Sequence, residues 1–303
     1  MNKTRILRLA ALFAALLTLA ACGYRKGDQT AVMTIDGKKV TGELYDYVYQ
    51  KNVEVRFGIG TEEASLTDGE RALVRDDAIA ELRKFYAVES LAAKEGVALN
   101  EVEIERVKGE MKSSKAGYQN KKEYYAAFKE QHMTENVFYI VALNYYLEED
   151  LAGHLREKIL PSLDDARVKS DVENYFYTAM QIYLPGDDAE ERMTSIKSEI
   201  DGGASFEETA EKYSRDGKRI RCFTEGEMQA FFEDAVKALQ PGEISGVIVS
   251  DFGAHLILRL ENDPAYVDAH LDDLRESDFA RIYNAMLLEE ANALEVEIVK
   301  LPE

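Results

Sequence analysis

The chain has 303 residues, and its 37 basic and 57 acidic residues give a formal net charge of −20 at pH 7. This acidic balance argues against nucleic acid as a partner and against electrostatic adhesion to anionic lipid. With 46% apolar residues and two cysteines, the chain can bury one large or two modest cores but can form at most one disulfide.

The N-terminus predicts export and lipid attachment. Basic residues near the start precede an apolar run over 9–21, which is short for a membrane span and typical of a secretory signal. The run ends in LAAC at 19–22, which resembles the lipobox of bacterial lipoproteins. This resemblance implies a signal peptide over 1–21, a lipid on Cys22, and anchoring to the cell membrane on its extracytoplasmic side. The alternative is an ordinary cleaved signal with an incidental cysteine.

The part of the chain after Cys22 begins with a polar stretch, 22–30, which predicts a short tether. The segment 31–40 then indicates two short strands around Asp36-Gly37, a hairpin turn signal. Thr41 is placed to cap a helix, and a long helix is predicted from about Thr134 to Ile159. Three further helix starts carry a capping residue three positions before a glutamate: Thr67 and Glu70, Asn100 and Glu103, Asn120 and Glu123.

The end of the chain predicts a return to this first region. A helix with an apolar face is predicted over about 267–293, and the alternation of apolar and charged residues over 294–299 is typical of a half-buried strand. The most economical partner for such a strand is the hairpin at 31–40. We therefore predict a helical domain over 31–165 that is completed by 264–303.

The intervening segment, 170–262, carries a series of short motifs. They are GGASFEETAEKYS at 202–214, GEM at 226–228, FEDA at 232–235, LQPGEISG at 239–246 and DFGAHLI at 251–257. In this order they resemble the parvulin-type (PpiC-like) peptidyl-prolyl isomerases. The strand–turn–strand–helix entry of the first half resembles the N-terminal region of PrsA- and SurA-like foldases.

The resemblance implies an α+β fold in which a mainly helical N-terminal foldase domain, completed by the C-terminal helix and strand, receives an inserted parvulin-like domain with a four-stranded sheet. It implies cis-trans isomerisation of X–Pro bonds in unfolded or folding exported polypeptides, with no cofactor and no metal. The rotation barrier is roughly 18–20 kcal/mol and no bond breaks. A catalyst therefore needs an apolar pocket for the proline ring and a few polar groups near the amide.

The resemblance assigns substrate-binding residues to the pocket. Met228 and Phe232 are four apart, so on one helical turn they would face the same way and grip the proline ring. Ile220 keeps an apolar position of the family near the rim. Spacing alone favours plain core packing for Met228 and Phe232, and the family context favours the pocket.

The resemblance also assigns polar residues near the amide. His255 matches a histidine on the family's last strand, where it would maintain a hydrogen-bond network that Ser250 could join. A purely structural histidine is the alternative. Asp216 falls where the family places a Cys or Asp near the substrate carbonyl, and a loop aspartate that caps backbone amides is the alternative.

Two positions depart from the family pattern. Gln181 occupies the position of a histidine on the first strand, and glutamine can form a hydrogen bond but does not titrate near neutrality. Arg221 replaces a glycine and would reshape the rim of the site. We therefore expect weak catalysis, with Gln181 kept as a candidate site residue.

Two alternatives remain for the function. One is a catalytically weak or inactive parvulin-fold chaperone that binds unfolded clients, and the other is an envelope assembly or solute-binding lipoprotein. A metal enzyme or a serine hydrolase is disfavoured, because the histidines are scattered and the sequence contains no HExxH, CxxC or GxSxG motif.

Overall fold

A computed structural model describes residues 26–217 and 219–301. The chain divides into two compact units. The first runs to Leu155 and resumes at Asn284, and the second spans Arg156–Tyr283. Cys22 and the predicted signal peptide lie outside the described residues. The predicted domain boundaries, at 165 and 264 for the first domain and at 170 and 262 for the second, stay predictions.

A small sheet in the first unit joins the two ends of the chain. Strand β1 (Ala31–Ile35) and strand β2 (Lys38–Thr41) form an antiparallel hairpin, and β7 (Val296–Ile298) pairs antiparallel with the other edge of β1. The hairpin turn has positive φ at both Asp36 (49°) and Gly37 (70°), which is the conformation that an Asp-Gly pair favours. The predicted return of the terminal strand to the hairpin is confirmed.

Helices follow the hairpin. They are α1 (Gly42–Phe57), α2 (Asp68–Glu95), α3 (Glu101–Ala116), α4 (Lys121–Glu130) and α5 (Glu135–Ile159). The capping boxes predicted at Thr67 and at Asn100 are confirmed, because both reciprocal hydrogen bonds are present in each. Among the described residues, no helix has the length and apolar content needed to cross a membrane.

The predicted cap at Thr41 differs from the structure. Its side chain makes no capping hydrogen bond, although it precedes α1. The N–H groups of Gly42 and Glu43 donate instead to the carbonyl oxygens of Thr30 and Asp28, each at 2.9 Å. Backbone carbonyl oxygens of the segment before the hairpin therefore accept hydrogen bonds from the start of α1, as the Thr41 hydroxyl was expected to do.

The end of the predicted tether is bound to the first unit. The carboxylate of Glu43, which is only 5% exposed, accepts hydrogen bonds from Gly27 N (2.6 Å), Thr134 Oγ1 (2.7 Å) and Asn136 Nδ2 (2.5 Å). The Gln29 side chain donates to the same carboxylate. A buried carboxylate needs such donors, so the chain from Gly27 onward is part of the folded unit.

A four-stranded antiparallel sheet organises the second unit. Its strands are β3 (Tyr177–Leu184), β4 (Ile220–Phe223), β5 (Ile248–Ser250) and β6 (Gly253–Leu260), in the order β4-β3-β6-β5. Helices of the region are α6 (Asp165–Tyr175), α7 (Ala189–Asp201), α8 (Phe206–Tyr213) and α9 (Ala230–Ala238). The predicted α+β class, with a four-stranded sheet in the parvulin-like segment, is confirmed.

The two faces of this sheet carry different side chains because successive strand residues alternate. One face packs against α7 and α8 through β3 residues 180, 182 and 184 and β6 residues 254, 256 and 258. The other face carries Ala179 and Ile257, which pack with Phe232 and Val236 of α9. Gln181 and His255, at alternate positions of the same strands, share this second face.

The helix predicted over 267–293 is two helices. Helix α10 (Pro264–Ala269) ends at His270, and α11 (Leu271–Ala293) follows. The ring Nδ1 of His270 lies 2.7 Å from the Tyr266 carbonyl oxygen and the two rings stack, while the His270 backbone N–H bonds to Val267. The side chain thus takes the carbonyl that a continuous helix would use, which explains the break.

Candidate functional site

A cavity of about 250 Å³ lies on the α9 side of the second sheet. It is lined by Gln181, Tyr183, Asp216, Arg221, Met228, Gln229, Phe231, Phe232, Phe252 and His255. The structure therefore brings together most of the residues that the sequence singled out, from three strands, one helix and two loops.

His255 lies at the base of this cavity. It is 4% exposed, its ring stacks on Tyr183 with 5.0 Å between centroids, and Phe231 approaches it to 4.7 Å. Burial lowers the pKa of His255 below its ordinary value, and the charge of Asp216 offsets that effect only in part. The imidazole is therefore neutral at pH 7.

Five side chains form a continuous polar network through the site. Ser250 Oγ lies 2.8 Å from His255 Nε2, and His255 Nδ1 lies 3.2 Å from Gln181 Oε1. Gln181 Nε2 donates to Asp216 Oδ2 at 2.7 Å, and Arg221 Nη2 donates to the same oxygen at 2.6 Å. Ser250 joins the network as predicted but does not line the cavity.

Asp216 is held by its loop and by its partners. The Ser214 hydroxyl accepts hydrogen bonds from Tyr183 N (3.0 Å) and from Asp216 N (3.2 Å), which docks the loop against β3. Burial raises the pKa of Asp216, but the hydrogen bonds from Gln181 and Arg221, together with positive charge, outweigh it and leave the pKa below its ordinary value. Its carboxylate is thus ionised, and it accepts hydrogen bonds from the side chains of Gln181 and Arg221.

The apolar part of the cavity adjoins this network. Met228 is half-buried, whereas Phe232 is 2% exposed and packs on Phe223 at 5.6 Å between centroids. Phe252 lies at the outer edge and is 55% exposed. Phe232 therefore serves both the core and the cavity, and Met228 is the more accessible of the two predicted pocket residues.

The carboxylate of Glu233 supports the loop that carries Met228. Its Oε1 accepts hydrogen bonds from Gly226 N and from Met228 N, both at 2.8 Å, and the side chain is buried. Glu233 stands in the FEDA motif, but its role as an acceptor for the preceding loop was not predicted. A glutamate in the first turn of a helix that follows a Gly-containing loop was the available signal in the sequence.

Ile220 does not line the cavity, which corrects the expectation from the sequence. It packs in the apolar cluster on the α7 and α8 face of the sheet, whereas Arg221, one residue later, lines the cavity on the opposite face. Because side chains alternate along a strand, an error of one position in phase reverses the face.

Tyr183 and Phe231 are functional-site residues that the sequence analysis missed. Tyr183 follows Gln181 by two positions and so shares its face of β3, which is the signal that could have found it. Its hydroxyl also donates to the Phe252 carbonyl oxygen at 2.8 Å. Phe231 precedes Phe232, and only its contact with His255 reveals its place.

The chemistry available here is that of an apolar pocket beside fixed polar groups. The Gln181 side chain forms hydrogen bonds to both the neutral His255 and the ionised Asp216. Within residues 26–217 and 219–301, no group of three or more His, Cys, Asp or Glu side chains is placed to hold a metal ion. The apolar pocket suits binding of an apolar group, and the adjacent polar network suits electrostatic stabilisation of a polar group beside it.

Known proteins resemble this region of the chain. Residues 185–261 match the family model "Rotamase: PPIC-type PPIASE domain". The chaperone SurA of Cupriavidus metallidurans is 34% identical over 103 residues, which are 32% of this chain and 20% of that protein. The foldase protein PrsA of Oceanobacillus iheyensis is 26% identical over 163 residues, 52% of each chain.

A solved structure, peptidylprolyl isomerase (PrsA) from Bacillus anthracis, aligns with a TM-score of 0.29 and 23% identity, covering 70% of this chain and 95% of that one. The chain spans about one fifth of the length of the SurA relative and about half of the PrsA relative. The second unit therefore carries a PPIC-type domain, and the chain resembles SurA and PrsA proteins.

Proposed function

We propose that this protein is a peptidyl-prolyl cis-trans isomerase that acts as a foldase on unfolded or folding exported polypeptides. The observation that carries the proposal is the apolar cavity in direct contact with the polar network, most of whose residues lie in the segment that matches the PPIC-type domain. The names of the SurA and PrsA relatives, a chaperone and a foldase, support a role in protein folding.

The geometry favours rotation about an X–Pro bond. The proline ring would pack against Met228, Phe231 and Phe232, which removes water from around the amide. The carbonyl of the preceding residue would then lie beside Gln181 and Asp216. The nitrogen of the twisted amide carries more electron density than the nitrogen of the planar amide. Fixed hydrogen-bonding groups can therefore favour the twisted form over both planar forms.

A protease-coupled isomerisation assay on the chain from Cys22 onward tests this function. We expect a measurable but low rate constant above the uncatalysed reaction, because Gln181 and Arg221 depart from the family pattern. A second proline-containing peptide added to the assay should compete with the substrate for the cavity and lower the observed rate. A rate equal to the uncatalysed background at micromolar protein would contradict the enzymatic function.

Client binding without catalysis is the second candidate function. The exposed Val249 and Phe252 (58% and 55%) on β5 and on the turn after it offer apolar surface to an unfolded chain. Suppression of aggregation of an unfolded client, with no isomerisation above background, would favour this chaperone role. If the protein does neither, the foldase proposal fails, and an envelope assembly or solute-binding role becomes the hypothesis to test.

We further propose that the protein is anchored to the extracytoplasmic face of the cell membrane by lipid on Cys22. The support is the LAAC sequence at 19–22 behind an apolar run. Cys22→Ala should abolish labelling with a radioactive fatty acid and release the protein from the membrane fraction. Cys222→Ala is the matched control and should keep both. Membrane retention of the Cys22→Ala protein would contradict the anchor.

A further inference from the structure

The two residues that depart from the family pattern meet at one atom. Gln181 Nε2 and Arg221 Nη2 both donate to Asp216 Oδ2, at 2.7 Å and 2.6 Å. Gln181 lies on the central strand β3, and Arg221 lies on the edge strand β4, opposite Ala179 in the register. The two substitutions are therefore parts of one arrangement rather than independent losses.

We propose that Arg221 is a positioning residue that fixes, through Asp216 and Gln181, the imidazole of His255 in the tautomer protonated at Nδ1. The effect on catalysis rests on the proposed isomerase function, whereas the tautomer itself can be measured without substrate.

The guanidinium of Arg221 determines which group donates and which group accepts in every hydrogen bond of the polar network. Arg221 is a permanent donor, and the carboxylate paired with it accepts only. The Gln181 amide must then present its NH₂ group to Asp216, so its oxygen faces His255. An amide oxygen accepts only, and the proton between these two groups must therefore be on His255 Nδ1.

The other side of the ring agrees with this assignment. A neutral imidazole carries one N–H, so His255 Nε2 is an acceptor, and the Ser250 hydroxyl donates to it across 2.8 Å. The Ser250 oxygen remains free to accept, and it takes the backbone N–H of Phe252 at 3.2 Å. Donors and acceptors match along the whole network in this direction.

Arg221 is needed because a glutamine amide has no preferred direction of its own. Its two ends have nearly the same shape, so only the neighbours determine which end faces Asp216. A charge-assisted bond from Arg221, whose side chain is 16% exposed, holds the Asp216 carboxylate in place. With a glycine at 221, the loop aspartate would lose this partner, and the amide could reverse.

The tautomer is measured by long-range ¹H–¹⁵N correlation of the His255 ring in the ¹⁵N-labelled protein at pH 7.5. In the wild type we expect the shift of a protonated nitrogen at Nδ1 and of an unprotonated nitrogen at Nε2. In Arg221→Gly, both shifts should move toward the average of the two tautomers. Arg221→Lys, which can still donate to Asp216, should recover most of the wild-type difference.

Arg219→Gly is the matched control. Arg219 acts on Asp216 through its charge and not through a hydrogen bond, so its loss should leave the ring shifts of His255 in place. A change in Arg219→Gly equal to that in Arg221→Gly would overturn the positioning role in favour of a general charge effect. A wild-type ring protonated at Nε2, or a folded Arg221→Gly protein with unchanged ring shifts, would overturn it directly.

A double-mutant cycle measured on kcat/KM tests whether the polar network that fixes the tautomer also matters for the reaction. Arg221→Gly and Gln181→Leu should each lower kcat/KM about tenfold, and the double variant should lose little more, since both break the same network. Fully additive losses would contradict the network. If the wild type shows the expected tautomer but no isomerisation, the positioning role stands and the proposed function fails, so the two failures are distinguishable.

Discussion

Tyr183 and His255 are cross-strand partners on β3 and β6, and their rings stack with 16° between the planes. With Phe231 near the same imidazole, the ring lies between aromatic side chains, and its hydrogen bonds within the described residues are to Gln181 and Ser250. This enclosure explains why the folded protein disfavours the imidazolium form.

Acidification should therefore destabilise the protein through His255. Burial holds its pKa in the folded protein below the ordinary value of about 6.5. Below that pH the unfolded chain binds a proton that the folded protein excludes, so the free energy of unfolding falls. The contribution is fully present above about pH 6.5 and is lost as pH falls toward the lowered pKa.

The measurement compares urea unfolding at pH 7.5 and at pH 5.5. His255→Gln retains a hydrogen-bonding side chain that does not titrate, so its loss of stability between the two pH values should be smaller than that of the wild type. An equal loss in both proteins would show that other groups account for the acid sensitivity.

Met228→Ala should weaken catalysis without unfolding the protein. Its side chain is half-buried and lines the cavity, and the lost apolar contact with the proline ring is worth about 1–2 kcal/mol, or roughly 5- to 30-fold in kcat/KM. Ile220→Ala is the matched control, because Ile220 packs on the opposite face of the sheet. Equal losses of kcat/KM per folded molecule would contradict the pocket assignment.

Phe232 does not suit the same test. It is 2% exposed and packs with Phe223, Val236 and Ile257 in the core of the α9 face. Phe232→Ala should therefore lower the free energy of unfolding by about 3–5 kcal/mol, as a large core truncation does. Loss of activity in a variant that includes Phe232→Ala would report unfolding as readily as loss of the pocket.

The resemblance in the motifs was sufficient to predict the fold class, and the alternation of apolar and charged residues at 294–299 was sufficient to predict the return of the terminal strand. It was not sufficient for the polar network, because Gln181 and Asp216 are 35 residues apart and meet only through the docking of a loop on β3. The sequence identified Gln181 and Arg221 as separate departures. That they share Asp216 depends on strand register, which motif order does not give.

Single residues explain the other errors. Ile220 was expected in the site because it keeps an apolar position of the family, but an apolar residue of a strand can face either side of the sheet, and Ile220 faces the side away from the cavity. The break at His270 depends on a side-chain hydrogen bond to the Tyr266 carbonyl, which helical periodicity does not reveal. The burial of Glu43 was not predicted, because its hydrogen-bond partners come from distant positions, among them Gly27 and Asn136.

Glu233→Ala should destabilise the second unit and displace Met228. The substitution leaves the N–H groups of Gly226 and Met228 without their acceptor, at a cost of about 1–3 kcal/mol for each group that finds no water. Asp234→Ala removes an equal charge from the exposed neighbouring position and is the matched control. We expect a lower urea midpoint and a lower kcat/KM only for Glu233→Ala, and equal midpoints would contradict this role.

Gly253→Ala should disrupt the site from the end of β6. Gly253 has φ of 136°, and a Cβ there would lie 2.1 Å from the Leu184 carbonyl oxygen on the adjacent strand. Alanine rarely adopts this backbone conformation, and its Cβ would clash with the carbonyl oxygen. Strand β6 would therefore have to move away from β3 and carry His255 with it.

Gly246→Ala is the matched control, since the φ of Gly246 is ordinary and a Cβ there would meet nothing within 4 Å. There the loss of unfolded-state freedom predicts a gain of about 0.4–1 kcal/mol. Thermal unfolding of the two variants should therefore shift in opposite directions, and a Gly253→Ala protein with wild-type melting and wild-type His255 ring shifts would contradict the close approach of these strands.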